Sequence, residues 1–357
     1  MYKYYFILSK LLKFNYKSLK SIVNLSIITS IFICVALLPI SLSIINGFEK
    51  NIVSKIISFD GYARVYLDEI NPEQYNTIEN TSSVLKFYET EGLIKTNKGS
   101  EAITIFSYLD LQNPLYDIID INQRNDEGIF IGQPLYDKLF PSISDTLEKK
   151  VILINSDNTI QHIKVLDTFQ THVPLYDEHF ILSNIKDYPI TGFIADKKTY
   201  DSLNSNIKPF FYTYNDRYYD FLKWLSSYDL PIFILLSSIL FIAIANNIFC
   251  FNIDLTNRKS DSYVLNLLGL SSKQIQLIYF YKYILLTFTG IFLGSMTSII
   301  LIYIQLNYNL IKIPDGIYFT SSIPLSLKIE YFIYAPLIFT IQSFYLFITK
   351  RRYFNVL

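Results

Sequence analysis

The chain has 357 residues, 51% of them hydrophobic and 17% aromatic, and its 31 basic side chains are balanced by 31 acidic ones. Zero net charge argues against a basic nucleic-acid binder, and the positive mean hydropathy points to a membrane protein with a sizeable soluble part. The only cysteines, Cys34 and Cys250, lie inside apolar segments as small hydrophobes, which excludes a disulfide framework.

Residues 1–21 carry Lys3, Lys10, Lys13, Lys17 and Lys20 without one acid and read as an amphipathic N-terminal helix. The apolar run 22–46, interrupted by Pro39, is too long for a signal peptide and has no small-residue cleavage site, so an uncleaved span is expected. Further spans are expected at 230–252, 276–304 and 329–349, the last containing Pro336. Each offers the roughly 20 apolar residues that cross a bilayer core. The basic N-terminal stretch and the tail 350–357, with Lys350, Arg351 and Arg352, place both termini in the cytoplasm by the positive-inside rule. Residues 47–229 and the short loop 305–328 then lie outside, and 253–275 inside.

The large outside segment 47–229 alternates apolar and polar residues in short runs: 61–67, 84–96, 101–109, 151–155, 160–169, 179–183 and 209–214. Turn residues such as Asn155-Ser-Asp-Asn158 separate them, which predicts strands, with a hairpin at 151–169. Helical patterns fit 72–81, 132–140, 196–203 and 216–226. The expected fold is therefore an α-helical membrane protein with four transmembrane helices and a large α+β domain between the first and second.

The loop 253–275 is the most informative stretch. Ser260 is the expected N-cap and Asp261 complements the helix dipole. Tyr263, Val264, Leu267 and Leu268 form one apolar stripe, Gly269 ends the helix, and Ser271 with Gln274 forms a capping box that starts the next one. Such a stripe packs on its own bundle, lies on headgroups or docks in a partner's groove; chemistry alone favours the first two.

Elsewhere, Gly290, Gly294 and Ser298 make a small-residue stripe suited to close helix packing within the chain, and Asn246 and Asn247 are expected to hydrogen-bond to a neighbouring helix. His172, Asp177, Glu178 and His179 lie within eight residues, but their spacing fixes no zinc geometry and a solvated loop is expected; no metal site is assigned. There is no Gly-x-x-x-x-Gly-Lys-Ser/Thr motif and no nucleophile–base constellation, so the chain is not expected to be an enzyme.

The loop residues Arg258, Lys259, Asp261, Val264-Leu265, Leu268-Gly269-Leu270, Ser271 and Gln274-Ile275 resemble the corresponding pattern in the FtsX/MacB superfamily of ABC transporter permeases. Within it, Leu42-Ser43-Ile44-Ile45-Asn46-Gly47-Phe48-Glu49 resembles the first-span end of the LolC/LolE lipoprotein-releasing type. The stretches 239–248, Asp167–Thr171 with Tyr176–Glu178, 313–318 and 323–325 add weaker likenesses; Asp167 stands where that family usually has glycine.

The resemblance implies a periplasmic outside domain, a bacterial inner-membrane location and a separate ABC ATPase that binds ATP and Mg. It makes Arg258, Lys259, Asp261, Val264, Leu265, Leu267, Leu268 and Gly269 the ATPase-coupling segment. A cradle for acylated lipoproteins would be lined by Leu42, Ile45, Phe48, Pro231, Phe233, Ile234 and Leu235, between this chain and a second permease subunit, itself or a paralogue. Pro174, Leu175, Tyr176 and Asp177 would dock a periplasmic lipoprotein carrier. The alternatives are an FtsX-type cell-division permease and a MacB-type efflux permease, both working by mechanotransmission.

Overall fold

The computed structural model describes residues 19–81, 84–96, 99–108, 127–140, 150–156, 159–185, 188–313, 320 and 322–349. The amphipathic helix expected over 1–21 and the tail 350–357 fall almost wholly outside them, as do Pro314 to Tyr318 of the last loop. The chain divides into two units. One takes in the chain up to Phe48, Ser227–Ile311 and the chain from Ile323; the other takes in Glu49–Ser226 and Lys312–Ser322.

The first unit is helical. Helix α1 runs Leu19–Asp60, much further than the apolar run that announces it. After the intervening segment come α8 (Asp229–Asn257), α9 (Lys259–Leu267), α10 (Ser272–Tyr308) and α11 (Tyr331–Thr349). Among the described residues, four helical stretches, including Tyr219–Asn257 taken as one, are long and apolar enough to cross a membrane. Their shared core contains Val23, Ile27, Ile31 and Val35 from α1, Ala243 and Phe251 from α8, Tyr279 and Leu286 from α10, and Ala335 and Phe339 from α11.

Several polar groups inside this core are paired across helices, where an apolar surround makes such pairing valuable. Ser30 Oγ donates to Asn247 Oδ1 at 3.0 Å, and Asn246 Nδ2 to Ser26 Oγ at 3.4 Å, so both asparagines join α8 to α1. Gln342 Nε2 donates to the Ile244 carbonyl at 2.8 Å and Gln276 Nε2 to the Phe347 carbonyl at 3.0 Å, which ties α11 to α8 and α10. The small-residue stripe serves packing within the chain. A Cβ at Gly290 would lie 2.9 Å from Ile31 Cβ, and one at Gly294 would lie 2.8 Å from the Phe32 carbonyl oxygen.

The second unit is β-rich. Its strands are β1 (Ala63–Tyr66), β2 (Leu85–Lys95), β3 (Ser100–Tyr108), β4 (Ile129–Gly132), β5 (Lys150–Asn155), β6 (Ile160–Phe169), β7 (Phe180–Ser183), β8 (Gly192–Ala195) and β9 (Tyr212–Thr213). Between them lie α2 (Pro72–Glu79), α3 (Gln133–Leu139), α4 (Pro174–His179) and α5 (Lys197–Ser202); α6 (Tyr214–Arg217) and α7 (Tyr219–Ser226) follow the last strand. The sheet order is β3-β7-β4-β6-β5-β2-β8-β1-β9, and an added β2–β3 pairing closes six strands into a ring. The long β2 makes this possible: Gly92–Lys95 pair with β5 and Leu85–Phe87 with β8, while its other edge pairs with β3 throughout Phe87–Lys95.

Alternation sorts the side chains of the six ring strands into two cores, while Ala63 and Val65 of β1 and Phe193 and Ala195 of β8 enter a third. Ile103, Ile105, Ile129, Ile131 and Ile181 enter one; Phe106, Phe130 and Leu182 enter the other with Phe59, Phe87 and Tyr176. The β5–β6 hairpin forms with Ile154 opposite Ile160. Strands β4 and β8 have no counterpart among the sequence expectations, because each is four residues, all buried, and shows no alternation to read.

Candidate functional site

Helix α9 is built from local signals. Gly269 takes φ +87° after its last turn, a conformation that costs glycine little. The Ser271–Gln274 capping box opens α10, with Gln274 Oε1 accepting from the Ser271 N–H at 2.9 Å. The start differs from expectation: α9 begins at Lys259 after Arg258, and Ser260 sits in its first turn instead of capping it.

What α9 buries is its polar side. Arg258, only 4% exposed, donates from Nε to Asp254 Oδ1 at 2.8 Å. Asp254 also receives Lys282 Nζ from α10, and Lys282 is 1% exposed. Ser262 Oγ donates to the Arg258 carbonyl at 3.0 Å and lies 3.1 Å from Tyr279 Oη, again on α10. Lys20 of α1 pairs with Asp261 at 2.6 Å. One short helix is thus tied to α8, α10 and α1 by ionic and hydroxyl contacts, with Leu265 adding apolar packing against the bundle core.

The apolar stripe is left outward. Tyr263, Val264, Leu267 and Leu268 are all more than half exposed, Leu267 at 72%. Packing on the chain's own bundle, one of the outcomes that chemistry favoured, is therefore not what this stripe does. Lys259 and Gly269 are exposed beside it, and a Cβ at Gly269 would meet nothing within 4 Å. Of the eight coupling-segment residues expected, Arg258 and Leu265 face the bundle, Asp261 is half-buried in its pair with Lys20, and the other five are at the surface. Sequence reasoning missed Asp254 and Lys282. The available signal was an ionisable lysine within the apolar run 276–304, which demands a partner.

The expected cradle residues divide by helix. Leu42, Ile45 and Phe48 of α1 are half-buried, whereas Pro231, Phe233, Ile234 and Leu235 of α8 are exposed, Phe233 at 69%. Gly47, next to them, has no room for a side chain: a Cβ there would collide with the Pro324 carbonyl, and Ser326 N–H donates to the Ser43 carbonyl at 2.9 Å. The segment after residue 322 thus packs directly on α1. Gln305 closes the foot of that loop by donating to the Ile311 carbonyl and accepting from the Ile311 N–H at 3.0 Å.

The expected carrier-docking loop is neither a loop nor a surface. Pro174–His179 forms α4 with Pro174 in its first turn, and Tyr176 and Asp177 are buried; of the four expected docking residues only Leu175 is exposed. The Tyr176 ring stacks on Phe59 with centroids 4.0 Å apart. The Asp177 carboxylate accepts from both the N–H and the hydroxyl of Thr171, at 2.8 and 2.7 Å, so within the cluster expected to be a solvated loop Asp177 is buried while Glu178 and His179 are exposed. Burial pushes the Asp177 carboxyl above the usual carboxylate range against the opposing effect of those hydrogen bonds. Among the described residues no group of three His, Cys, Asp or Glu side chains is placed to hold a metal.

A second ionic hub lies where the chain enters and leaves the β-rich unit. Asp60, the last residue of α1, receives Arg64 and Arg217, the latter at 2.5 Å, and the Tyr218 hydroxyl at 2.6 Å. Arg217 also donates to the Gly61 carbonyl at 2.8 Å and Arg64 Nε to the Asp60 carbonyl at 2.6 Å, which satisfies carbonyls at the helix end. Arg64 reaches Glu89 at 2.8 Å and lies 4.9 Å from the ring centroids of both Phe87 and Phe106. Burial lifts the Glu89 carboxyl, with the Arg64 charge opposing. Tyr218 continues the network to Tyr176, hydroxyl to hydroxyl at 2.8 Å.

Residues 232–352 match the family model described as FtsX-like permease C-terminal. The match covers most of α8 and all of α9, α10 and α11, about a third of the chain, and supports the FtsX/MacB superfamily for that part. No curated protein matches the chain.

Proposed function

We propose that this chain is the permease subunit of an ABC-type complex and that a separate ATPase docks on α9. The supporting observation is the inverted amphipathicity of α9: ionic contacts turn its polar side into the bundle and leave Tyr263, Val264, Leu267 and Leu268 outward. Four clustered apolar side chains are hydrophobic area waiting for a partner, with Lys259 at the rim. Arg258 and Asp261 then hold the helix rather than touch the ATPase. ATP and Mg belong to the partner, since the chain carries no phosphate-binding glycine loop.

In this reading α9 lies in the cytoplasm and the β-rich unit in the periplasm of a bacterial inner membrane, and ATP-driven closure of the ATPase moves α9. The cargo is an acylated lipoprotein, drawn from the membrane beside Leu42, Ile45, Phe48, Pro231, Phe233, Ile234 and Leu235 and passed to a periplasmic carrier. Each acyl methylene resists extraction by about 0.8 kcal/mol, so the step needs ATP work and an apolar surface. The sequence 42–49 supports the choice of cargo, and a second permease copy or paralogue completes the cradle. With Tyr176 and Asp177 buried, Leu175 is what remains at the surface for the carrier.

Purification in mild detergent with candidate ATPases, followed by mass spectrometry, tests the proposal. An ATPase with acylated lipoproteins supports it. An ATPase with wall hydrolases or an outer-membrane channel moves the assignment to division or efflux, and no ATPase at all overturns the permease reading.

A further inference from the structure

Asp254 occupies a position that docking on α9 does not by itself explain. Among the described residues it is the one carboxylate that pairs with both of two buried cations, Arg258 at the start of α9, which Asp261 also approaches at 3.9 Å, and Lys282 on α10, and it sits on α8 one turn before that helix ends. All three side chains are at least nine-tenths buried. A buried ion pair adds little net stability, and breaking one is costly, so its physical effect is to fix geometry. Here it fixes three helices at one point.

Resting on the ATPase-docking reading above, we propose that Asp254 is a positioning residue that locks α8, α9 and α10 into one body, through which force on α9 reaches the apolar helices. The other tethers of α9 are weaker. The Lys20–Asp261 pair is about one-third exposed on both sides and is screened by solvent, and Ser262 with Tyr279 offers only neutral hydroxyls. Among the described residues, Asp254 is the carboxylate with charge-assisted contacts to both the start of α9 and the buried flank of α10. Removing its charge leaves the outward stripe intact and disconnects it mechanically. Replacing Lys282 cuts the link to α10 only and leaves the Asp254–Arg258 pair whole.

Two measurements on the full chain in nanodiscs test this. In amide hydrogen exchange, Asp254→Asn raises the rates across α9 by about tenfold or more, with the middle of α10 unchanged, and Asp254→Glu restores them. In the complex with the co-purified ATPase, Leu230→Cys reports movement at the far end of α8. Leu230 is exposed and the native Cys34 and Cys250 are buried, so an impermeant maleimide reads position 230. ATP with vanadate changes its labelling rate in the wild type. In Asp254→Asn and in the milder Lys282→Met that change falls at least about fivefold while ATPase affinity stays within about twofold.

An undiminished labelling change in both variants overturns the proposal. Should the wild type bind no ATPase, the docking reading fails, and hydrogen exchange alone decides: α9 rates within about twofold of wild type in Asp254→Asn overturn the lock, and a tenfold rise supports it.

Discussion

At the residue scale, burial without full compensation has a measurable sign. The Asp177 carboxyl is lifted by desolvation, so the folded chain holds that proton more tightly than the unfolded chain does. Its linkage contribution is present at low pH and is lost as pH rises from about 3.9 through the raised value. Asp177→Asn keeps an oxygen to accept from Thr171 and removes the charge. The expected outcome is a higher melting temperature than wild type at pH 7, with the gap closing as pH falls to 4, read by thermal unfolding in detergent. Gly294 gives a prediction of the opposite sign. Any Cβ there presses on the Phe32 carbonyl, so Gly294→Val separates α10 from α1 and costs about 1–3 kcal/mol, seen as a lower melting temperature of the purified chain.

At the element scale, what was legible in the sequence was what neighbouring residues decide. The Ser271–Gln274 box, the left-handed Gly269 and the α9 stripe all depend on residues within a few positions and stand where the pattern puts them. The orientation of that stripe was not legible, because it is set by Asp254 and Lys282, 28 positions apart and on different helices. Strands β4 and β8 escaped because a fully buried run of four shows no period, and α4 escaped because Pro174 at a first helical turn was its one local sign. The outward stripe carries its own prediction. Leu267→Asp, at a residue 72% exposed, leaves the chain's stability within about 0.5 kcal/mol of wild type and weakens ATPase binding by about 2 kcal/mol or more, measured by titration of the detergent-purified partners.

At the scale of the whole molecule, two units with separate cores share one chain, and the β-rich one has a closure of its own. Its first and last segments meet at Asp60: Arg64 approaches from β1, while Arg217 and Tyr218 approach from the α6 end just before the chain returns to α8. A domain inserted between two apolar helices needs its ends fixed together, and here a buried charge network does this without a disulfide. The fragment 49–226, freed of the apolar helices at either end, is therefore expected to be soluble and to show β-sheet circular dichroism with a cooperative melt. Asp60→Asn in that fragment leaves two guanidinium groups short of their shared counter-charge and costs about 3–5 kcal/mol, a loss visible in urea unfolding at constant slope. Exposed pairs such as Lys86–Glu79 give the control: Lys86→Met leaves the urea midpoint close to that of the unsubstituted fragment. Equal losses from the two substitutions would show that the hub is an ordinary surface pair, and that the ends of the unit are held by the aromatic core around Phe59 instead.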